Sequence, residues 1–353
     1  MQLSLVTKRI KSSHKQLPTA LAVVLGFSSL LSSMDVFACA ACGCTLSKDW
    51  ESQGISSKPG FTADISFDYL NQNKQHYGTS SASSTLVNSQ YAAGQEVEAY
   101  TKTNTITASL IYNADDWGVT VALPYLNRNH GTYGDNTATG ATVVDTTALS
   151  TSSNSGIGDV KVVGRYNGYS ADKSSGLIVG VKLPTGSTNG TFSDGSPLDA
   201  GLQIGTGSTD IILGGFTTGT IDTYGWFVQG TAQHAIATKS LSGADYRPGD
   251  AYSLNTGIRY AGFGAKVSPM LQLNIIKRQA DTDNNTGTNV PLDPVTGVPI
   301  SGGTLAYLTP GVSVRVGGGA SVYGFVQIPI YENVNSLQLV QSYTLTIGVR
   351  QSF

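Results

Sequence analysis

All three cysteines of the 353-residue chain fall in one short motif, C-A-A-C-G-C. They are Cys39, Cys42 and Cys44. Three thiolates at this spacing could hold a soft metal ion such as Cu(I) or zinc. In an oxidising compartment, two of them could instead form a local disulfide. No histidine follows the motif, so the C-x-x-C-H pattern of haem attachment is excluded.

The segment before the cysteines reads as a secretory signal peptide over residues 1–38. Basic residues between positions 8 and 15 precede a mostly apolar core at 20–31, and Val36-Phe37-Ala38 fits a small-residue cleavage site. The core is shorter than the roughly 20 apolar residues that a transmembrane helix needs. Cleavage would make Cys39 the first residue, so lipidation is a further interpretation, although Phe37 fits a lipobox poorly. Residues 39–57 are expected to be a cysteine-containing periplasmic segment.

The end of the chain is a strand of a particular kind. Apolar residues alternate with polar residues or glycine, and the last position is aromatic. This period of two predicts one apolar face and one polar face. The closing strand of outer-membrane β-barrels is similar, and the barrel-assembly machinery reads its terminal Phe. The expected assembly signal consists of Tyr343, Leu345, Ile347, Val349 and Phe353.

The same alternation recurs through residues 58–353 and predicts about twelve strands of about ten residues each. Short and long connections alternate between them. Outer-membrane barrels have short periplasmic turns, long extracellular loops and both termini in the periplasm. The predicted fold is therefore all-β: a transmembrane antiparallel β-barrel in a Gram-negative outer membrane, surrounded by its lipid. Pro310 falls inside the tenth predicted strand, which argues against the register there.

Charge excludes one class of partner. Removing residues 1–38 takes away four basic residues and one acidic residue, which leaves 17 basic and 22 acidic residues and a net charge of −5. Nucleic-acid-binding proteins need a basic surface. We therefore expect no nucleic-acid partner.

Charged and amide side chains on the polar faces of the strands must point into the lumen, because Arg or Lys in lipid costs about 2–4 kcal/mol at the bilayer midplane. Both signs occur, so a mixed polar wall is expected rather than a ring of one charge. Opposed charges could instead form salt bridges that fill the barrel. Twelve strands permit an open, a gated or a plugged channel. The predicted lumen-lining residues are Asp64, Asp68, Asp159, Lys161, Arg165, Lys182, Asp210, Arg259, Gln272, Asn274, Arg315 and Arg350.

Several glycine-rich strand ends resemble those of the outer-membrane putative transporter family associated with meta-pathway phenol degradation. The similar stretches are G-I-G-D-V-K-V-V-G-R-Y (156–166), G-V-K-L-P-T-G (180–186), L-Q-I-G-T-G-S-T-D-I-I-L-G-G (202–215), Y-R-P-G-D (246–250) and P-M-L-Q-L-N (269–274). The resemblance covers roughly residues 58–353. It implies a barrel that helps hydrophobic or aromatic compounds to cross the outer membrane, without catalytic residues. Four residues in these stretches would be wall residues: Asp159, Arg165, Lys182 and Asp210. The cysteine cluster lies outside the matched region, and the resemblance does not explain it.

An enzymatic function is not expected. Outer-membrane phospholipases place His and Ser two residues apart on a lipid-facing strand, but Ile236 follows His234 at that spacing. The loop residues His76 and His130 complete no nucleophile–base pair either. The leading prediction is a channel for small molecules with no cofactor. The alternative is an envelope barrel whose cysteine cluster handles metal or transfers electrons.

Overall fold

A computed structural model describes residues 59–353, except 135–139, 239–245, 265, 284–286 and 288–290. The predicted signal peptide and the cysteine segment lie outside the described residues. Within the described part of the chain, no helix is long and apolar enough to cross a membrane.

The described residues form fifteen strands and one α-helix. Eleven of the strands hydrogen-bond in a closed antiparallel ring, while β2 and β5 add to it as side branches, and β10 pairs with β13 in a separate small sheet. The strands are β1 (Gly60–Gly78), β2 (Ser80–Ser81), β3 (Glu98–Asn113), β4 (Trp117–Thr132), β5 (Ser150–Ile157), β6 (Val160–Tyr166), β7 (Ser175–Leu183), β8 (Ser208–Ile221), β9 (Tyr224–Thr238), β10 (Tyr246–Arg247), β11 (Ala251–Tyr260), β12 (Val267–Arg278), β13 (Thr282–Asp283), β14 (Gly303–Gly317) and β15 (Ala320–Ser352). The helix, α1, is Ser84–Ala92.

The ring closes through β15, which reverses direction along its length. A ring in which all neighbours are antiparallel needs an even number of segments, so one of the eleven strands must count twice. Residues 320–334 of β15 pair with β14, and residues 334–352 pair with β1. The reversal lies at Ser336, whose φ is 42°. The wall therefore contains twelve antiparallel segments, as the sequence pattern predicts.

The outer surface carries an apolar band. On β1, Phe61 and Ile65 are exposed, and the last arm of β15 exposes Ile347 and Val349. Aromatic side chains from neighbouring segments meet at both margins of the band. At the short-turn margin, the ring centroids of Tyr224 and Tyr260 are 5.1 Å apart, and at the loop margin those of Tyr69 and Tyr343 are 6.0 Å apart. This is the surface of a lipid-embedded barrel with interfacial aromatic girdles.

Several strands continue past the apolar band. The sequence pattern predicts a first strand at 61–70, whereas β1 extends to Gly78. The prediction that His76 and His130 lie in loops is therefore wrong, because β1 includes His76 and β4 includes His130. Both arms of β15 extend likewise, and a tight turn at Asn335-Ser336 joins them at the loop end, where the other connections are long. Beyond the band, no lipid requires an apolar face, so the period-two pattern is weak there. Pro310 lies within β14, opposite Leu271 of β12, so the strand assignment stands.

The sequence pattern predicts a polar loop up to residue 155 and a fourth strand over 156–166, but the structure has two strands there, β5, which already begins at Ser150, and β6. Both pair with β4: β5 with its loop-end half and β6 with its short-turn half. At the break, the Gly158 amide donates to the Pro124 carbonyl at 2.9 Å. The break places Asp159 between two paired segments, where its carboxylate can reach neighbouring backbone groups.

The connections at the loop end pack against each other. Val87 and Tyr91 of α1 form a buried cluster with Val97 and Leu337. Asp293, from the connection between β12 and β14, accepts hydrogen bonds from Ser336 Oγ at 2.6 Å and from Gln90 Nε2 at 3.2 Å. Three connections are thus fixed together over one side of the barrel end.

Candidate functional site

The interior of the barrel is the candidate functional site, because polar side chains converge there. On β1, Thr62, Ser66 and Asp68 are at most 4% exposed, whereas the outward Ile65 between them is 59% exposed. The alternation therefore sorts side chains between lipid and lumen, as in outer-membrane barrels generally.

All twelve predicted lumen-lining residues are among the described residues, and their surroundings differ. Lys161 is exposed but pairs directly with Lys182, so both side chains share the inward face. Arg259 is half-buried and Arg315 is exposed. That these residues contact a solute stays a prediction. The nine buried members are Asp64, Asp68, Asp159, Arg165, Lys182, Asp210, Gln272, Asn274 and Arg350.

One charged cluster is centred on Lys182, which is 3% exposed. Its Nζ lies 2.8 Å from Asp210 Oδ2 and 3.7 Å from Asp159 Oδ2. The ammonium also donates to the hydroxyls of Thr206 and, at 3.0 Å, of Ser208. Buried charges are tolerated when they are paired and hydrogen-bonded, as here. The cluster fills the lumen wall between β6 and β8 rather than presenting a free charge.

Asp159 extends this cluster into a loop. Its carboxylate accepts from the Gly186 amide at 3.0 Å and from the Thr206 amide at 2.9 Å. Gly186 and Thr206 lie near the two ends of the connection between β7 and β8. Asp159, at the break between β5 and β6, therefore fixes the base of this loop against the wall.

A second charged group lies at the seam of the barrel. Asp64 and Arg350 are directly opposite each other in the β1–β15 register. Tyr323 Oη donates to Asp64 at 2.9 Å, and Thr346 Oγ1 donates to Asp68 Oδ1 at 2.6 Å. The two aspartates thus join both arms of β15 to β1 inside the lumen.

Arg165 lies flat against the wall. Its Nη2 donates to Asn113 Oδ1 at 2.6 Å and lies 2.4 Å from where a Cβ of Gly118 would be. A larger residue at position 118 would therefore displace the guanidinium toward the centre of the lumen.

The wall formed by β9, β11, β12, β14 and β15 contains a network of neutral groups. Asn274 is its centre: Nδ2 donates to Asn255 Oδ1 at 2.8 Å and to Gln272 Oε1 at 3.3 Å. Asn274 Oδ1 accepts from Thr309 Oγ1 at 2.6 Å and from Gln327 Nε2 at 3.4 Å. The five side chains of this network are uncharged, whereas the Lys182 cluster carries charge elsewhere in the wall.

Beyond the apolar band, Arg128 of β4 fixes the β7–β8 connection, and the centroid of the His130 ring lies 6.0 Å from that of Phe192 in the same connection. Arg128 Nη1 donates to the carbonyls of Gly201 at 3.1 Å and Gln203 at 2.9 Å. His130 Nδ1 lies 2.8 Å from Thr101 Oγ1. Burial, reinforced by the nearby charge of Arg128, lowers the pKa of His130 to about 4. His130 is therefore neutral at pH 7.

Sequence reasoning missed four residues of these networks. They are neutral residues with no charged residue within two positions along the sequence, so nothing in their type marks them as functional. Three of them, Asn255, Thr309 and Gln327, could have been found by position, because they are polar residues that alternate with apolar residues along a strand. The missed residues are Asn255, Thr309, Tyr323 and Gln327.

The structure brings His234 near acidic and basic residues. His234 Nδ1 lies 2.9 Å from Asp250 Oδ1, and Arg247 Nη2 donates to the same carboxylate oxygen at 2.8 Å. Within the described part of the chain, His234 hydrogen-bonds to Asp250 and Arg247. The arrangement is a charged group on the outer surface of the barrel.

Metal binding was predicted at the cysteine cluster alone. Cys39, Cys42 and Cys44 lie outside the described residues, so that role stays a prediction. Metal analysis of the mature protein, with Cys→Ser variants as controls, would test it. In the part of the chain that the structure describes, no group of three His, Cys, Asp or Glu residues could hold a metal ion.

Comparison with solved structures agrees with the architecture. An outer membrane channel from Pseudomonas putida F1 superposes with a TM-score of 0.60 at 14% identity, covering 84% of this chain and 97% of that one. The fold is that of an outer-membrane β-barrel. This chain therefore forms the closed wall that its alternation predicts.

Two further similar structures are more distant. The translocator domain of the autotransporter NalP from Neisseria meningitidis has a TM-score of 0.48 at 11% identity, covering 86% of this chain and 92% of that one. The toluene transporter TbuX from Ralstonia pickettii has a TM-score of 0.42 at 10% identity, covering 84% and 90%. No family model matches the chain, and no curated protein matches it.

Proposed function

We propose that this chain is an outer-membrane channel for small solutes. The observation that carries the proposal is the closed ring, with its apolar outer band and polar interior. Such a surface is stable in lipid, and such an interior offers a polar path through the membrane. The fold shared with an outer membrane channel supports the same function.

The lengths of the connections support an orientation with both termini in the periplasm. Outer-membrane barrels keep short turns and both termini in the periplasm. Gly60 and Phe353 both lie at the short-turn end, since the Phe353 amide donates to the Phe61 carbonyl at 2.9 Å. The connections that contain α1 and Asp293 then face outward. In this orientation, solutes enter between the packed loops and leave past Arg259 and Arg315.

The chemistry supports transport rather than catalysis. The buried charge of Lys182 is paired with Asp159 and Asp210, and the partners of the outward His234 among the described residues are Asp250 and Arg247. The resemblance to the phenol-pathway family suggests hydrophobic or aromatic compounds among the solutes. The barrel-assembly machinery would insert the chain by reading the strand that ends in Phe353.

Liposome swelling tests the proposed function. Protein lacking residues 1–38 is refolded into liposomes, which are then diluted into isosmotic solutions of neutral solutes of increasing size. We expect swelling whose rate falls with solute size. The control is the same amount of heat-unfolded protein. If folded protein, verified by its heat-dependent gel mobility, admits no solute, the proposed function is wrong.

A further inference from the structure

Charge is unevenly distributed around the wall of the barrel. The stretches 251–278 and 303–331 supply β11, β12, β14 and most of the first arm of β15, and they contain neither Asp nor Glu. Elsewhere in the wall, charges of opposite sign lie together, as Lys182 and Asp210 do at 2.8 Å. One side of the barrel is therefore positively charged. The basic residues in the two acid-free stretches are Arg259, Lys266, Lys277, Arg278 and Arg315.

Two of these arginines point into the lumen near the short-turn end. Asn255 and Thr309 point inward, because both hydrogen-bond to Asn274 in the neutral network. Arg259 lies four positions after Asn255 on β11, and Arg315 lies six positions after Thr309 on β14. Because side chains on one face of a strand recur every two residues, Arg259 and Arg315 share the inward face.

The two arginines are more accessible than the acids of the lumen. Arg315 is exposed and Arg259 is half-buried. The aspartates on the inward side of the wall are at most 9% exposed and accept hydrogen bonds from neighbouring groups. A solute in the lumen can therefore contact these positive charges, while the negative charges are enclosed in the wall. The four enclosed aspartates are Asp64, Asp68, Asp159 and Asp210.

The positions of the two guanidinium groups place positive charge in one region. A Cβ on Gly225 would lie 3.0 Å from Arg259 Nη2, so the guanidinium lies over this glycine of β9. The Arg315 amide donates to the Lys266 carbonyl at 2.7 Å, which continues the pairing of β14 with β12 by one position. The charges of Arg259 and Arg315 are close enough to repel each other. An anion between them is attracted by both.

We propose that Arg259 and Arg315 form a binding site for small carboxylates and make the channel selective for anions. A guanidinium group donates two parallel N–H groups to a carboxylate, so this organic anion fits it in both charge and geometry. A passage lined by accessible charges of one sign concentrates ions of the opposite sign. The inference rests on the proposed channel function, because the anion reaches the site through the lumen. It deepens that function by assigning the charge of the solute.

Reversal potentials in planar bilayers test the selectivity. Protein lacking residues 1–38 is inserted into a bilayer that separates concentrated from dilute KCl. We expect the dilute side to be negative at zero current, because chloride crosses more readily than potassium. Arg259→Gln and Arg315→Gln should each shift this potential toward zero. The matched control is Lys277→Gln, from the same acid-free stretch, because Lys277 lies opposite the outward, 43% exposed Tyr252 and should leave the potential unchanged.

Binding is measured separately, by the line width of ¹³C-labelled acetate in NMR spectra of detergent-refolded protein. We expect line broadening that saturates as acetate is added. Each of Arg259→Gln and Arg315→Gln removes a charge-assisted hydrogen bond, so each should weaken binding about tenfold. Lys277→Gln should bind acetate like the wild type.

The outcomes separate this site from the channel function. A channel that admits neutral solutes in the swelling assay, but whose dilute side is neutral or positive at zero current, overturns the inference and retains the channel. Anion selectivity that is unchanged in both arginine variants overturns it as well, as does the absence of saturable acetate binding. If folded protein admits no solute, the channel function is wrong, whereas acetate binding that weakens in the arginine variants still supports the site. If one arginine variant does not fold, the other carries the comparison.

Discussion

Asp64 and Arg350 face each other across the seam where the first strand of the barrel pairs with the last arm of β15. Both are buried, and Asp64 also accepts a hydrogen bond from Tyr323 on the other arm. The Tyr323 hydroxyl thus reaches past the last arm of β15 to a carboxylate on β1. Because a buried carboxylate is costly without hydrogen bonds, this contact favours the closed ring over an open sheet.

Removing the Tyr323 hydroxyl should weaken the seam. Tyr323→Phe deletes a hydrogen bond to a carboxylate, so the free energy of unfolding should fall by about 1.5–3 kcal/mol. Urea unfolding of the refolded barrel, followed by tryptophan fluorescence, measures the change. Tyr331→Phe is the control, because Tyr331 is on the exposed outer surface. Equal losses in both variants would show that the Asp64 contact contributes nothing specific.

Replacing Lys182 should destabilise the barrel strongly. Lys182→Met leaves the buried carboxylates of Asp159 and Asp210 without their cation, and the expected loss of stability is about 3–5 kcal/mol. Adding Asp210→Asn should recover part of that loss, since one uncompensated charge disappears. The same urea titration gives both values. A double variant no more stable than Lys182→Met would contradict the pairing.

The barrel should lose stability in mild acid through His130. Its folded pKa of about 4 lies below the usual value of 6.5, so the unfolded chain binds the proton more readily. The part of the free energy of unfolding that depends on His130 is fully present above pH 6.5 and is lost as the pH falls from 6.5 to 4. His130→Asn should reduce the pH dependence of unfolding in that window. Equal pH dependence of unfolding in the wild type and in His130→Asn would contradict this contribution.

Phe353 should matter for assembly but not for stability. Its side chain is 78% exposed, so Phe353→Ser removes few packing contacts and should change the urea midpoint little. If the last residue is read by the assembly machinery, the amount of folded barrel in outer-membrane fractions should fall severalfold. The exposed girdle residue Phe263 provides the control variant, Phe263→Ser. Unchanged membrane levels for Phe353→Ser would refute its role as a signal.

The sequence is informative where lipid imposes a pattern. Within the apolar band, each wall segment must alternate, so the positions of strands such as Tyr224–Thr238 can be predicted. Beyond the band, the polar stretch N-Q-N-K-Q-H-Y at 71–77 is still strand but has no periodic signal. The turn between the arms of β15 contains neither Gly nor Pro, so the sequence does not indicate a turn there.

The charged residues of the lumen can be predicted from the sequence, and the uncharged ones only in part. Lys182 and Asp210 stand out because ions cannot face lipid. Asn274 could be recognised from Q-L-N, where two amides share a face. Tyr323 could not, since a tyrosine suits a girdle as well as a lumen, and only the register places it beside Asp64.

Electrical recording in planar bilayers tests the central claim most directly. Purified protein lacking residues 1–38 is added to one side of a lipid bilayer in salt solution, and current is followed at fixed voltage. A barrel with a polar path through it predicts discrete conductance steps of uniform size. Folded protein that inserts, as shown by protease protection of its strands, yet produces no steps would contradict the account.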